Sequence, residues 1–172
     1  MGSLLKKYHT AKTFVLFLKM KIKEVKDRNK KQMIARTVLE ALPDWFAVAE
    51  SREAYIRESS DLPLFAAFDD DRPVGFLCLK ETGKDTVEIH VMGVLKDYHR
   101  KGAGRKLFEM AKDSAAKLGY SFLQVKMVKM GMYEDYDITN RFYLAMGFKE
   151  FELFPDYWDE YNPCQIYVMP LK

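Results

Sequence analysis

Val94-Leu95-Lys96-Asp97-Tyr98-His99-Arg100-Lys101-Gly102-Ala103-Gly104-Arg105 is the stretch where the hydrophobic period of the chain changes. Before it, Thr86 to Val94 alternates with period two, which puts Glu88, His90, Met92 and Val94 on one face of a strand and Ile89, Val91 and Gly93 on the other. After it, from Ala103 to Leu118, the residues Leu107, Met110, Ala111, Ser114 and Leu118 share one helical face, and Gly119 suits the C-terminal cap. The stretch is therefore a strand-to-helix turn. The first turn of a helix leaves N–H groups unpaired, and its macrodipole adds partial positive charge there. Gly102 and Gly104 let an anion approach those groups, and Arg100, Lys101 and Arg105 add full charges beside it. A diphosphate fits such a turn, although a solvated basic turn has the same composition. A dinucleotide fingerprint would need glycine where Leu107 stands, and a P-loop would need Gly-Lys-Ser/Thr, which is absent.

Outward from this turn the chain reads as alternating short strands and helices. Ile22 and Val25 begin a strand. A helix with Ile34, Val38, Ala41 and Leu42 on one face is stopped by Pro43, and a second runs near Glu50 to Glu58. Leu64–Phe68, Val74–Leu79 and Thr86–Val94 are joined by short turns, so they form an antiparallel meander rather than a parallel βαβ unit. Ser121–Val128 is a strand, Asp137–Met146 a helix closed by Gly147, and Phe148–Phe154 and Gln165–Met169 are two more strands. The expected fold is α/β (α+β), a mixed, mostly antiparallel central sheet of about seven strands flanked by about four helices.

The stretch from Val94 to Arg105 resembles motif A of the GNAT N-acetyltransferase superfamily, Gln/Arg-x-x-Gly-x-Gly/Ala, with His99 in the Gln/Arg position and Gly102 and Gly104 in register. Phe142-Tyr143-Leu144-Ala145-Met146-Gly147-Phe148 matches that superfamily's Phe-Tyr-x-x-x-Gly-Phe, one strand further on. The resemblance covers roughly residues 64–172, and the leading part, including Leu42 to Phe46, looks like bacterial members similar to aminoglycoside 6′-N-acetyltransferases. It implies an N-acetyltransferase that uses acetyl-CoA (coenzyme A) and a primary amine, on a small molecule or a peptide, in a ternary complex. Family members are often dimers, so a homodimer is compatible with it. The alternative is a non-catalytic acyl-CoA-binding or interaction module.

Acetyl transfer to an amine needs a base, because an alkyl ammonium of pKa about 10.4 is almost wholly protonated at neutral pH. The superfamily often places a catalytic glutamate on the strand occupied here by Glu88, and His90 on the same face is the rival base or a substrate contact. Tyr143 matches the family's general acid, which protonates the departing thiolate. By the same resemblance, the backbone of Met92, Gly93 and Val94 contacts the pantetheine arm where the strand splays from the next one. His99, Arg100, Lys101, Gly102, Ala103, Gly104 and Arg105 cradle the diphosphate. Many relatives carry Asn seven residues before the tyrosine; Tyr136 stands there, and Asn140 is the candidate to replace its cofactor contact. Gly93 also suits a bulge or close backbone approach.

Substrate-lining candidates are Trp45 and Phe46 at the first helix junction and Tyr157 and Trp158, with Asp159, Glu160 and Tyr161, in the loop before the last strand. Aromatic faces with carboxylates suit a cationic amine, and Glu134, Asp135 and Asp137 add negative charge near the tyrosine helix.

The 172 residues suffice for one buried core, and 48% hydrophobic with 31% charged residues fits a globular chain. A net charge of +3 suits an anionic cofactor but not a dedicated nucleic-acid binder, and no nucleic-acid motif is present. Cys78 and Cys164 lack metal-site spacing, no metal is expected, and two cysteines without a disulfide framework point to a reducing, cytoplasmic setting. Residues 1–19 are basic, with an apolar run from Phe14 to Leu18 too short to span a membrane. They read as a peripheral extension ahead of a single domain over residues 20–172.

Overall fold

Asp27 opens the helical layer: its carboxylate accepts a 2.7 Å hydrogen bond from the N–H of Lys30 and caps helix α1 (Arg28–Glu40). The computed structural model describes residues 20–171, so the expectation for residues 1–19 lies outside the described residues. Strand β1 (Lys21–Val25) precedes α1, and helix α2 (Ala49–Glu58) follows it. Then come β2 (Leu64–Asp69), β3 (Arg72–Gly83), β4 (Thr86–Val94), helix α3 (Ala103–Lys117), β5 (Phe122–Val128), helix α4 (Glu134–Ala145), β6 (Lys149–Phe154) and β7 (Cys164–Pro170). The strands form one seven-stranded sheet in the order β1-β2-β3-β4-β5-β7-β6. Only the β4–β5 pair is parallel. The expected mixed, mostly antiparallel sheet with four flanking helices is what the described residues form.

Boundaries moved where local chemistry outweighed periodicity. Helix α4 starts three residues earlier than Asp137 because Glu134, Asp135 and Asp137 all occupy its first turn, where carboxylates complement the macrodipole. Leu118, assigned to the buried face of α3, caps the helix instead and is exposed, whereas Phe108 and Ala115 are buried. Ala41 likewise caps α1 in solvent.

Two irregularities in β4 position everything that follows. Against β3, Leu79 pairs with Ile89 and Cys78 with Val91, so His90 is an extra residue, a β-bulge. Against β5, pairing runs only from Thr86 with Phe122 to Glu88 with Gln124. Beyond Glu88 the two strands part, while β5 stays paired with β7 along its full length. The edge of β4 from Ile89 to Val94, about 20 Å at roughly 3.3 Å per residue, is therefore not paired with β5.

Candidate active site

The bulge reverses the parity of β4. Glu88 and His90 face helix α2: the His90 ring meets Tyr55 edge-to-face at 5.2 Å, and its Nε2 lies 2.9 Å from the Glu58 carboxylate. After the bulge Met92 faces the other layer. Its Sδ is 3.8 Å from the Tyr143 hydroxyl of α4, and its Cε would touch a Cβ added to Gly104 of α3. Regular alternation put Met92 and Val94 on the face of Glu88 and His90; the structure separates Met92 from them because one inserted residue shifts the period by one. Gly93 serves neither a bulge nor that unpaired edge with its missing side chain. A Cβ there would lie 2.9 Å from Val38 and 3.1 Å from Leu42, so the glycine admits helix α1.

On the α2 side a polar cluster surrounds Glu88, which is buried at 6% exposure. Its Oε2 accepts a 2.8 Å hydrogen bond from Gln124 and one from Lys126, while Oε1 faces His90 Nδ1 at 3.9 Å. Burial pushes the Glu88 carboxyl up, but His90, Lys126 and Gln124 together outweigh it and hold the group below the usual glutamate range. Burial likewise works against the Lys126 cation, and the Glu88 carboxylate more than restores it. Lys126 also sits 5.6 Å from the centre of the Tyr157 ring, which brings the loop before β7 to this cluster; Trp158 stacks edge-on against Tyr157 at 5.7 Å. Gln124 and Lys126, missed by sequence reasoning, are the polar positions that alternate with apolar ones along β5. Tyr55 and Glu58, also missed, are three apart on one face of α2.

On the opposite side Tyr143 is buried among Phe142 and Phe148, and that burial pushes its phenol well above the usual range. Asn140 is fully buried, and its Oδ1 has no hydrogen-bond partner. Its amide donates to the carbonyls of Val128 and Tyr136, each at 3.0 Å, and ties α4 to the end of β5.

The turn before α3 has the form a phosphate requires. Arg100 and Gly102 have positive φ, 57° and 85°, and Gly102 caps the helix without a side-chain hydrogen bond. The N–H groups of Ala103, Gly104 and Arg105 belong to the first turn, which has no intrahelical acceptors. A Cβ at Gly104 would approach Met92 and Phe142 at 3.4 Å, filling space beside those N–H groups. His99 contributes no side chain to the cradle. Its Nε2 is 2.6 Å from the Val94 carbonyl and its ring packs against Trp45. Basic residues, free N–H groups and a glycine-lined approach fit the diphosphate of coenzyme A, and a hydroxyl already placed against a sulfur fits its thiol end.

The remaining sequence candidates divide. Trp45 lies by the phosphate turn: its Nε1 donates to the Asp135 carbonyl at 3.3 Å and its own carbonyl accepts from Tyr136 at 3.0 Å. Phe46 points the other way, edge-on to Tyr55 at 6.2 Å, and so joins the Glu88 side. Asp159 accepts from the N–H groups of Tyr161 and Asn162 and from the Asn162 amide, so its charge is used to build its own loop. Two surface grooves elsewhere, one between α1 and α2 and one between β1 and α3, are lined by solvent-facing charges and adjoin neither face of this site. Among the described residues no group of His, Cys, Asp and Glu is placed to hold a metal, and no helix is long and apolar enough to cross a membrane.

Residues 32–148 match the sequence profile of the Acetyltransferase (GNAT) family. The chain belongs to that family. Solved structures agree in fold. A protein assigned to the GNAT family from Desulfovibrio desulfuricans is 18% identical with a TM-score of 0.72, over 89% of this chain and 99% of that one. The protein yncA of Salmonella typhimurium, solved with acetyl-CoA, is 16% identical with a TM-score of 0.67, over 90% and 95%. An aminoglycoside 6′-N-acetyltransferase complexed with coenzyme A is 18% identical with a TM-score of 0.71, over 88% and 97%. No curated protein matches the chain. In this GNAT acetyltransferase, then, a charged cluster and a buried tyrosine lie on opposite sides of β4 where its pairing with β5 ends.

Proposed function

We propose that this acetyltransferase transfers the acetyl group of acetyl-CoA to a primary amine by direct attack in a ternary complex. The observation that carries the proposal is the bulge at His90. It sets Glu88 and Tyr143 on opposite faces of β4 where that strand parts from β5. Acetyl-CoA supplies the acetyl group as a thioester. The turn from Arg100 to Arg105 would hold its diphosphate, and the free edge of β4 through Met92, Gly93 and Val94 would hold its amide-bearing arm.

On the α2 side, Glu88 takes the surplus proton of the acceptor. Its Oε2 is engaged by Gln124 and Lys126, so Oε1 is the free oxygen. A carboxylate held low is a weak base, but the Lys126 cation beside the acceptor also disfavours an ammonium there. The amine nitrogen bonds to the acyl carbon, and the carbon–sulfur bond breaks with its electron pair on sulfur. Tyr143 then gives its proton to that sulfur, and the second proton of the attacking nitrogen, shed as the amide forms, returns the phenolate to phenol. Burial keeps the phenol protonated and also makes a bare thiolate costly, so a proton donor against the sulfur lowers the cost of breaking the carbon–sulfur bond.

Phe46, Tyr55, Tyr157 and Trp158 offer aromatic walls to the acceptor. The carboxylates of this face are paired with lysines or with their own loop, which favours a single amine over a polycation. The buried, free thiols of Cys78 and Cys164 support a reducing, cytoplasmic setting. The pairing of Glu88 with Lys126 favours a second reading, a non-catalytic acyl-CoA-binding module. A panel of amines assayed for acetyl-CoA-dependent thiol release separates the two. Release with at least one monoamine supports catalysis; acetyl-CoA binding without release from any amine would leave only the second reading.

A further inference from the structure

Five side chains cross the α2 face of the sheet in a line, two lysines at its ends and a histidine between two glutamates: Lys80 of β3, Glu58 of α2, His90 and Glu88 of β4, and Lys126 of β5. Lys80 donates to Glu58 at 2.7 Å, Glu58 lies 2.9 Å from His90 Nε2, His90 Nδ1 lies 3.9 Å from Glu88, and Lys126 donates to Glu88. Each imidazole nitrogen thus faces a carboxylate. Of the two, Glu88 is buried and Glu58 is 38% exposed, with His90 at 13% between them. Tyr55 lies edge-on to the ring, backed by Phe46. The other titratable groups near this line are Tyr136 of α4, Tyr157 of the loop before β7 and Cys164 of β7. The Nε2 contact is close but lacks the direction of a hydrogen bond, since the atom is buried without a formed partner. A small turn of the ring would make that bond.

Resting on the acetyl-transfer reading, we infer that Glu58 and Tyr55 of α2 make His90 the proton exit of the acceptor site, carrying a proton from Glu88 Oε1 through the imidazole to Glu58 and solvent. The acceptor ammonium loses its proton to Glu88 Oε1. Glu88 passes it to Nδ1, over a gap closed by carboxyl rotation or one water, while the proton on Nε2 passes to Glu58 Oε2 and on to water. A half-turn of the ring then brings Nδ1–H away from Glu88, where exchange with water returns the proton to Nε2 and restores the starting tautomer. Each step moves one proton, and the imidazole ends as it began. Glu58 is then a positioning residue, one link away from the reacting atoms.

The test compares wild type, Glu58→Gln, His90→Gln and the double variant, with an amine that the wild type accepts. Glu58→Gln is expected to lower kcat about ten-fold while leaving KM for both substrates nearly unchanged. Its solvent deuterium isotope effect should rise, because proton departure becomes limiting, and the double variant should be no slower than His90→Gln. Nitrogen-15 NMR of the histidines without acetyl-CoA, with His90 assigned by its loss in His90→Gln, should show its protonated nitrogen change environment in Glu58→Gln. Glu58→Asp, which keeps the carboxylate, should recover part of the rate and covers the case in which Glu58→Gln does not fold. A wild-type kcat and isotope effect in Glu58→Gln, multiplying losses in the double variant, or an unaltered His90 signal would overturn the relay alone. No thiol release by the wild type with any amine would overturn acetyl transfer and the relay with it.

Discussion

The two faces of β4 have opposite characters. On one, Glu88, His90, Lys126, Gln124, Glu58 and Lys80 form a connected charged line that reaches solvent. On the other, Tyr143 is enclosed by Phe142, Phe148 and Met92, with a thioether as its hydroxyl's partner. A single inserted residue produces the contrast. In an unbroken strand Glu88, His90 and Met92 would all share one face. The difference assigns the work: protons leave the acceptor on the charged face, where they have an exit, and reach the leaving sulfur on the buried face, where a bare anion is costly.

The largest effect should come from closing the approach to both faces at once. Gly104→Trp places a large ring against Met92 and Phe142 at the phosphate turn, and thermal stabilisation by acetyl-CoA should vanish. A melting shift equal to the wild type's would remove that turn from the binding site. Next, Tyr143→Phe breaks only the buried face. Turnover should fall about 10³-fold with acetyl-CoA affinity unchanged, since the phenol acts in the transition state and not in binding. Wild-type turnover in that variant would take Tyr143 out of the reaction.

Glu88→Gln breaks only the charged face and should cost about 10²-fold, less than Tyr143→Phe, because water or His90 can take over the proton. The pH dependence sharpens the point. The folded Glu88 carboxyl is held below its unfolded value, so it stays ionised through the ordinary glutamate range, and both activity and its share of stability are lost only as pH falls below that range. Glu88→Gln should flatten that acid limb in kcat and in melting temperature alike. Tyr143, pushed up by burial, should add no alkaline loss below about pH 10. Smallest of all, Gly93→Ala forces a methyl against Val38 and Leu42 and should cost about 1 to 3 kcal/mol of stability in denaturant unfolding, with turnover nearly retained. Full stability would mean that α1 yields easily there.

The strand-to-helix turn was legible because period, glycine and charge all change within twelve residues, and β4 itself begins and ends where its alternation does. The bulge was not legible, since a run that alternates with period two looks the same whether or not its partner skips a residue. The partners of Glu88 were hidden for a different reason. Lys126 lies 38 residues away and Glu58 comes from a helix two strands earlier, so only the closed sheet brings them together. Asn140 had a second role that the sequence did not show: its amide satisfies the backbone carbonyl of Val128, while its Oδ1 has no partner.

The most direct test of two separated proton-transfer faces is a crystal structure with coenzyme A, read at the position of the sulfur. The sulfur is expected within about 3.5 Å of the Tyr143 hydroxyl, with the Met92 thioether displaced and the acyl group directed toward Glu88. A sulfur lying instead among Glu88, His90 and Lys126, with Tyr143 still on Met92, would contradict it.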